Sequence, residues 1–222
     1  QAMARRWPEA LRLIDAPDFE NWLKRSFGEE KVSEQLIKLA TSSASIGPGS
    51  AVKDRYLSRI IMWLSTQMPV CYQSIRANVT GLGTMLAEAM QRQENLTSFA
   101  DMLRGRLPQL WMNEQPQLNS TQLQARRILE EVEKHIEKTG IGHGLERALY
   151  ELDPLTPCRS PMIADFCVIH LNDLLPALDA AMPGLPSGTV PMDRHLAGFI
   201  GAHLRRGIDH ELGMLNQAGN RE

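Results

Sequence analysis

Cysteine is scarce: Cys71, Cys158 and Cys167 are the only three in 222 residues. An odd, small number cannot staple a chain of this length, so a disulfide framework is excluded and a reducing compartment is expected. Charge of one sign is missing too. Lys and Arg number 24 against 26 Asp and Glu, a formal charge of −2. The basic residues come as scattered doublets, Arg5-Arg6, Lys24-Arg25, Arg126-Arg127 and Arg205-Arg206, with acids close to most of them. A protein that tracks a phosphate backbone shows a basic stripe, which makes nucleic acid an unfavoured partner. No apolar run approaches the ~20 residues of a membrane-spanning helix. No leader is recognised ahead of the N-x-[ST] sequons at Asn78, Asn95 and Asn119, so these read as chance matches. The expected setting is cytoplasmic, with no membrane partner.

What remains is ordinary globular composition, 43% apolar and 23% charged, in a chain able to bury a core as one large domain or two small ones. Its dominant period is helical. From Val52 the apolar residues Tyr56, Leu57, Ile60, Ile61, Trp63 and Leu64 make one wide stripe. From Asn119 or Ser120 as N-cap, Leu123, Ile128, Leu129, Val132 and Ile136 recur at three- and four-residue steps until Gly140 stops the helix. Shorter stripes run over 8–14, 18–27, 29–41, 82–94, 98–111, 172–182 and 193–206. The one strand-like run, Phe166–Leu171, has no partner to complete a ladder and reads as a connector or part of a helix. The expected fold is all-α, an irregular multi-helix bundle of roughly eight to ten helices.

Residues 41–50 are small and Ser/Gly-rich and read as a mobile loop, with Gly47-Pro48-Gly49-Ser50 as an engineered junction or a natural turn. Gln1-Ala2-Met3-Ala4 reads as an expression remnant. The expected organisation is an N-terminal helical piece over 1–42, a flexible linker over 43–50, and a main helical domain over 51–222 with a C-terminal helical subdomain from about 153. Asp153–Pro161 holds three prolines around Cys158 and is expected to be extended and stiff. Residues 183–191 form a further turn-rich stretch.

Complete catalytic signatures are absent. Gly140-Ile141-Gly142-His143-Gly144 lacks the preceding strand and the Gly-Lys-[Ser/Thr] ending of a phosphate loop, and reads as a helix C-cap with a tight turn into a helix near Leu145. Cys158, Cys167 and His170 are the weak candidates for a metal. Cys167 and His170 form one close pair, but a fourth ligand is missing, so no metal and no cofactor is expected. His195 and His203 stand eight apart, about 80° round a helix, and do not share a face. Cys158 lies beside Arg159, whose charge would lower a thiol pKa. With His170, Arg194 and His195 these two are the first catalytic candidates, set around loop 153–161 and helix 193–206. The string Leu145–Pro154, followed by Pro157-Cys158-Arg159-Ser160-Pro161, reads as a specific local motif with no function attached.

Trp7, Trp22, Trp63 and Trp111 all lie on apolar stripes, where core placement is the default. Trp7, Trp22 and Phe27, in the N-terminal piece, are the candidates for a docking surface. The leading expectation is therefore a non-catalytic helical interaction module, an adaptor, regulator or scaffold, standing alone or as a fragment of a larger protein. Its partner would be another protein or another domain of the same protein. The alternatives are an all-α enzyme built on the candidates just named, and a helical nucleic-acid-binding domain with Arg126-Arg127 or Arg205-Arg206 on phosphates.

Overall fold

The computed structural model describes residues 1–45, 51–186 and 192–219. Gly47–Ser50 and residues 187–191 of the turn-rich stretch lie outside these. Among the described residues there are 13 α-helices and one two-stranded sheet. In chain order they are α1 (Ala2–Arg5), α2 (Trp7–Ile14), α3 (Pro17–Phe27), α4 (Glu29–Ala44), α5 (Ala51–Leu64), β1 (Val70–Tyr72) and β2 (Ile75–Ala77). There follow α6 (Leu82–Gln91), α7 (Thr97–Arg104), α8 (Leu107–Asn113), α9 (Ser120–Ile136), α10 (Gly144–Leu152), α11 (Leu171–Ala181), α12 (Arg194–Leu204) and α13 (Asp209–Gly219). The chain is mostly helical, and no helix among the described residues is long and apolar enough to cross a membrane.

Three local expectations need correction. Residues 41–44 are not loop but the last turn of α4, where Ser43 is fully buried and its hydroxyl donates back to the Leu39 carbonyl at 2.7 Å. The stripe over 98–111 is two helices, because Arg106 adopts a left-handed φ of 51° between them. The hairpin was not foreseen. It pairs Val70 with Ala77, Cys71 with Arg76 and Tyr72 with Ile75, around a turn in which Gln73 has φ 51°. Its strands are three residues long and β1 is buried throughout, so the alternation at Ile75-Arg76-Ala77 is too short to mark it. The 166–171 run is a connector, as expected: a 3-10 turn over Ala164–Phe166, Cys167 at φ 48°, then His170 ahead of α11.

The chain divides into two compact units, residues 1–82 with 94–126, and residues 83–93 with 127–222. These differ from the expected pieces: 1–45 and 51–82 fall in one unit, and the borders at 82/83 and 126/127 fall inside α6 and α9.

In unit one, Phe19, Leu23, Val32, Leu39 and Ile60 bring α3, α4 and α5 into one apolar cluster. The hairpin packs beside α5, where the Ser58 hydroxyl donates to the Cys71 carbonyl at 2.6 Å. Two indole rings of this unit are buried with their polar end satisfied. Trp7 Nε1–H donates to Asp54 Oδ1 at 2.5 Å, and Trp111 Nε1–H donates to the Met68 carbonyl at 2.6 Å.

In unit two, α10 packs directly against α12. Small residues on α12 allow it: a Cβ added at Gly198 would stand 3.0 Å from the backbone N of Arg147, and one at Gly201 would run into the Arg147 guanidinium. Arg147 is 1% exposed. Its Nε–H donates to Glu151 Oε1 at 2.7 Å, one helical turn on, and its Nη1–H donates to the Arg206 carbonyl at 2.9 Å. Burial raises the pKa of Glu151, and the Arg147 guanidinium opposes it. In the same unit Gly83 lets α6 approach the end of α10, since a Cβ there would meet Asp153 Cβ and the Leu152 carbonyl carbon at 2.7 Å.

Candidate functional site

The proline-rich loop after α10 is held down by one phenol. Tyr150, 1% exposed, projects from α10 so that its hydroxyl oxygen accepts the Arg159 N–H at 2.9 Å and lies 3.1 Å from His195 Nδ1 on α12. Burial lowers the pKa of His195, against the pull of Glu146 and Asp193, which favours the neutral ring beside the phenol. Two more bonds complete the anchorage. The Cys158 N–H donates to the Val168 carbonyl at 2.7 Å, and the Ser160 hydroxyl donates to Asp193 Oδ2 at 2.6 Å. Asp193 also caps α12, its Oδ1 accepting the Leu196 N–H at 2.8 Å. The string that reads as a specific motif is thus a loop tied by single hydrogen bonds to Tyr150 of α10, to Val168, and to Asp193 at the cap of α12.

Of the catalytic candidates, Cys158, Arg159 and His195 are brought together here. The chemistry expected of them does not follow. Cys158 is 2% exposed, and burial pushes its thiol up to about 11, outweighing the Ser160 N–H and the Tyr150 hydroxyl that favour the thiolate. The expectation that Arg159 activates the thiol is therefore corrected: desolvation wins. Arg194 points elsewhere, its Nε–H donating to Glu146 Oε1 at 2.9 Å. His170 is exposed at the start of α11.

The metal candidates separate as well. Cys158 is buried whereas Cys167 and His170 are exposed, and among the described residues no group of three or more His, Cys, Asp or Glu is placed to hold an ion. The three thiols also differ in reactivity. At neutral pH a maleimide labels Cys167 on the folded protein, while Cys71 and Cys158 react only after denaturation. Mass spectrometry of the labelled protein checks this, and rapid native labelling of Cys158 would refute the assignment.

A second cluster was missed. His135 on α9 and His143 ahead of α10 stack with ring centroids 5.1 Å apart, and their Nδ1 atoms are 3.0 Å apart. His143 Nε2 lies 2.7 Å from Asp209 Oδ1, at the first residue of α13. The rings are 8% and 5% exposed. Gly142 and Gly144, both with positive φ, bracket His143 and turn the chain back so that its ring reaches His135. Burial, with the charges of Arg147, His143 and Lys138, pushes His135 down to about 4, opposed by Glu131. The glycine cluster marked the turn, but nothing in the spacing showed that two imidazoles would meet across it.

In unit one the docking candidates part company. Trp7, 7% exposed, packs edge-on against Tyr72 and is a core residue, which corrects its assignment to a docking surface. Trp22 and Phe27 are 54% and 46% exposed. Trp22 stacks on Phe19, and Phe27 tilts against Trp63 at 5.7 Å between centroids. Five positions apart on α3, they point about 140° from one another, on either flank of the stripe that buries Phe19 and Leu23. Comparison with known protein families, with curated proteins and with solved structures gives no match.

Proposed function

We propose that the chain is a helical module that binds another protein, with α3 as its contact element. The observation that carries this reading is the exposure of Trp22 and Phe27, each pre-set by a ring contact with a neighbour, Phe19 or Trp63. Aromatic side chains already held in one rotamer give up little entropy on binding, which is why such residues anchor interfaces. Because the two rings flank α3, a partner that uses both must straddle the helix across Asn21 and Arg25, on its exposed ridge.

The enzyme alternative draws on the meeting of Cys158 and Arg159 with His195. It requires a buried thiol with a raised pKa to react, so the interaction reading is the better supported. Affinity capture with the full chain, followed by titration of the recovered partner in purified form, tests the proposal. Trp22→Ala and Phe27→Ala are each expected to weaken binding by about 30-fold, the loss of an interface anchor of about 2 kcal/mol. Their circular dichroism should match that of the parent. A partner bound equally well by the Trp22→Ala/Phe27→Ala double variant would overturn the assignment of α3.

A further inference from the structure

Asp209, His143 and His135 form a chain of three titratable groups in unit two, and its proton count is constrained by geometry. Two Nδ1 atoms 3.0 Å apart have room for one proton between them. In the neutral pair, His143 Nε2–H donates to the Asp209 carboxylate, and His143 Nδ1 accepts the proton on His135 Nδ1. One added proton is accommodated. It enters at His135 Nε2, the bridging proton passes to His143 Nδ1, and the new charge appears beside Asp209, where it strengthens the contact. A second added proton is not accommodated, because both Nδ1 atoms would carry hydrogens that face each other between two cations.

The end of the chain that can move is α13. Among the described residues its contacts are concentrated at the start: Ile208 is 5% exposed and lies against Gly142, Asp209 meets His143, and Arg206 Nη1–H donates to Glu211 Oε1 at 2.6 Å. Further on, a Cβ at Gly213 would meet nothing within 4 Å, and Met214 and Leu215 are 59% and 44% exposed. Attachment that rests on one turn is the kind that opens locally, ahead of the core.

We propose that His135, His143 and Asp209 form an acid-sensitive latch: while the imidazole pair holds at most one extra proton it keeps the start of α13 docked, and a second proton drives His143 off Asp209 and frees the helix. Burial sets the direction, and the charged groups around the latch add to it. Arg147 from α10 and Lys138 just beyond α9 resist protonation of His135, as does His143, while Glu131 on α9 favours it. At the other end, His143, Lys138 and His135 together hold Asp209 below its ordinary pKa, which favours the ionised carboxylate. The latch is therefore lost as pH falls, not as it rises.

Hydrogen exchange of the full chain from pH 7 to pH 4, corrected for the intrinsic pH dependence of exchange, tests this. His135 at about 4 when docked, against 6.5 when free, allows the opening equilibrium to rise by up to about 100-fold across that interval. Amides over 209–215 should lose protection by that order, ahead of those in α10 and α12. His135→Asn keeps an N–H for His143 but does not titrate, and should make α13 protection nearly independent of pH. Asp209→Asn should lower protection of α13 at every pH. The proposal fails if His135→Asn follows the parent's pH curve. It also fails if α13 never opens ahead of α10 and α12.

Discussion

Arg147→Met is expected to destabilise unit two by about 3–5 kcal/mol at pH 7, the cost of leaving a buried ion without its partner. The substitution keeps most of the side-chain volume, so no large cavity contributes. What it removes is the charge opposite Glu151, whose side chain is 6% exposed and whose Oε2 has no hydrogen-bond partner among the described residues. The Arg206 carbonyl loses its donor at the same time. Two features separate this cause from a packing fault. The penalty should shrink on acidification, because a neutral Glu151 escapes most of the desolvation cost and burial already raises its pKa. The double variant Arg147→Met/Glu151→Leu should recover most of the loss, since removing both ions leaves nothing charged to desolvate. All four tryptophans lie in unit one, so their fluorescence does not follow this change. Chemical denaturation read by hydrogen exchange in α10 and α12 does. A double variant as unstable as Arg147→Met would rule out the unpaired carboxylate as the cause.

The second large effect is a loss of stability between pH 6.5 and 4. His135 in the folded unit binds its proton at about 4, against 6.5 when unfolded. Across that window the unfolded chain carries more protons than the folded one, and stability therefore rises with pH. A group whose folded pKa is depressed in this way contributes fully above 6.5. The shift corresponds to about 3 kcal/mol lost by pH 4, at 1.36 kcal/mol for each unit. The loss levels off once α13 has opened, because His135 can then take its proton without unfolding the rest. His135→Asn should flatten the unfolding free energy of unit two over this range. A parent and variant with parallel pH profiles would show that His135 does not titrate at the depressed value.

The helices were legible because their apolar spacing is long and regular: α5 and α9 each carry a stripe over more than three turns. The start of α12 was legible as the first residue of the stripe over 193–206, where Asp193 caps the helix. Features made by distant partners were not. Nothing local to Cys158 tells that it will be dry, and a neighbouring Arg159 argues the opposite. Trp7 and Trp22 look alike in sequence, on apolar stripes of adjacent helices. They differ because Asp54, far along the chain, accepts a hydrogen bond from Trp7. His135 and His143 meet for the same reason, through a turn whose glycines are visible but whose direction is not. Spacing reports which face of an element is apolar, whereas a site depends on what the other elements bring to it.

The discontinuous second unit has a consequence for biosynthesis. Residues 83–93 leave the ribosome well before 127–222, the segment they pack with. At roughly 5–20 residues per second the wait lasts on the order of ten seconds. Through that interval Leu86, Ala87 and Ala89, all buried in the finished protein, have no partner in their own unit. A nascent chain of this design presents a short greasy helix while its first unit is still being completed. That is the stage at which a chaperone would be most needed.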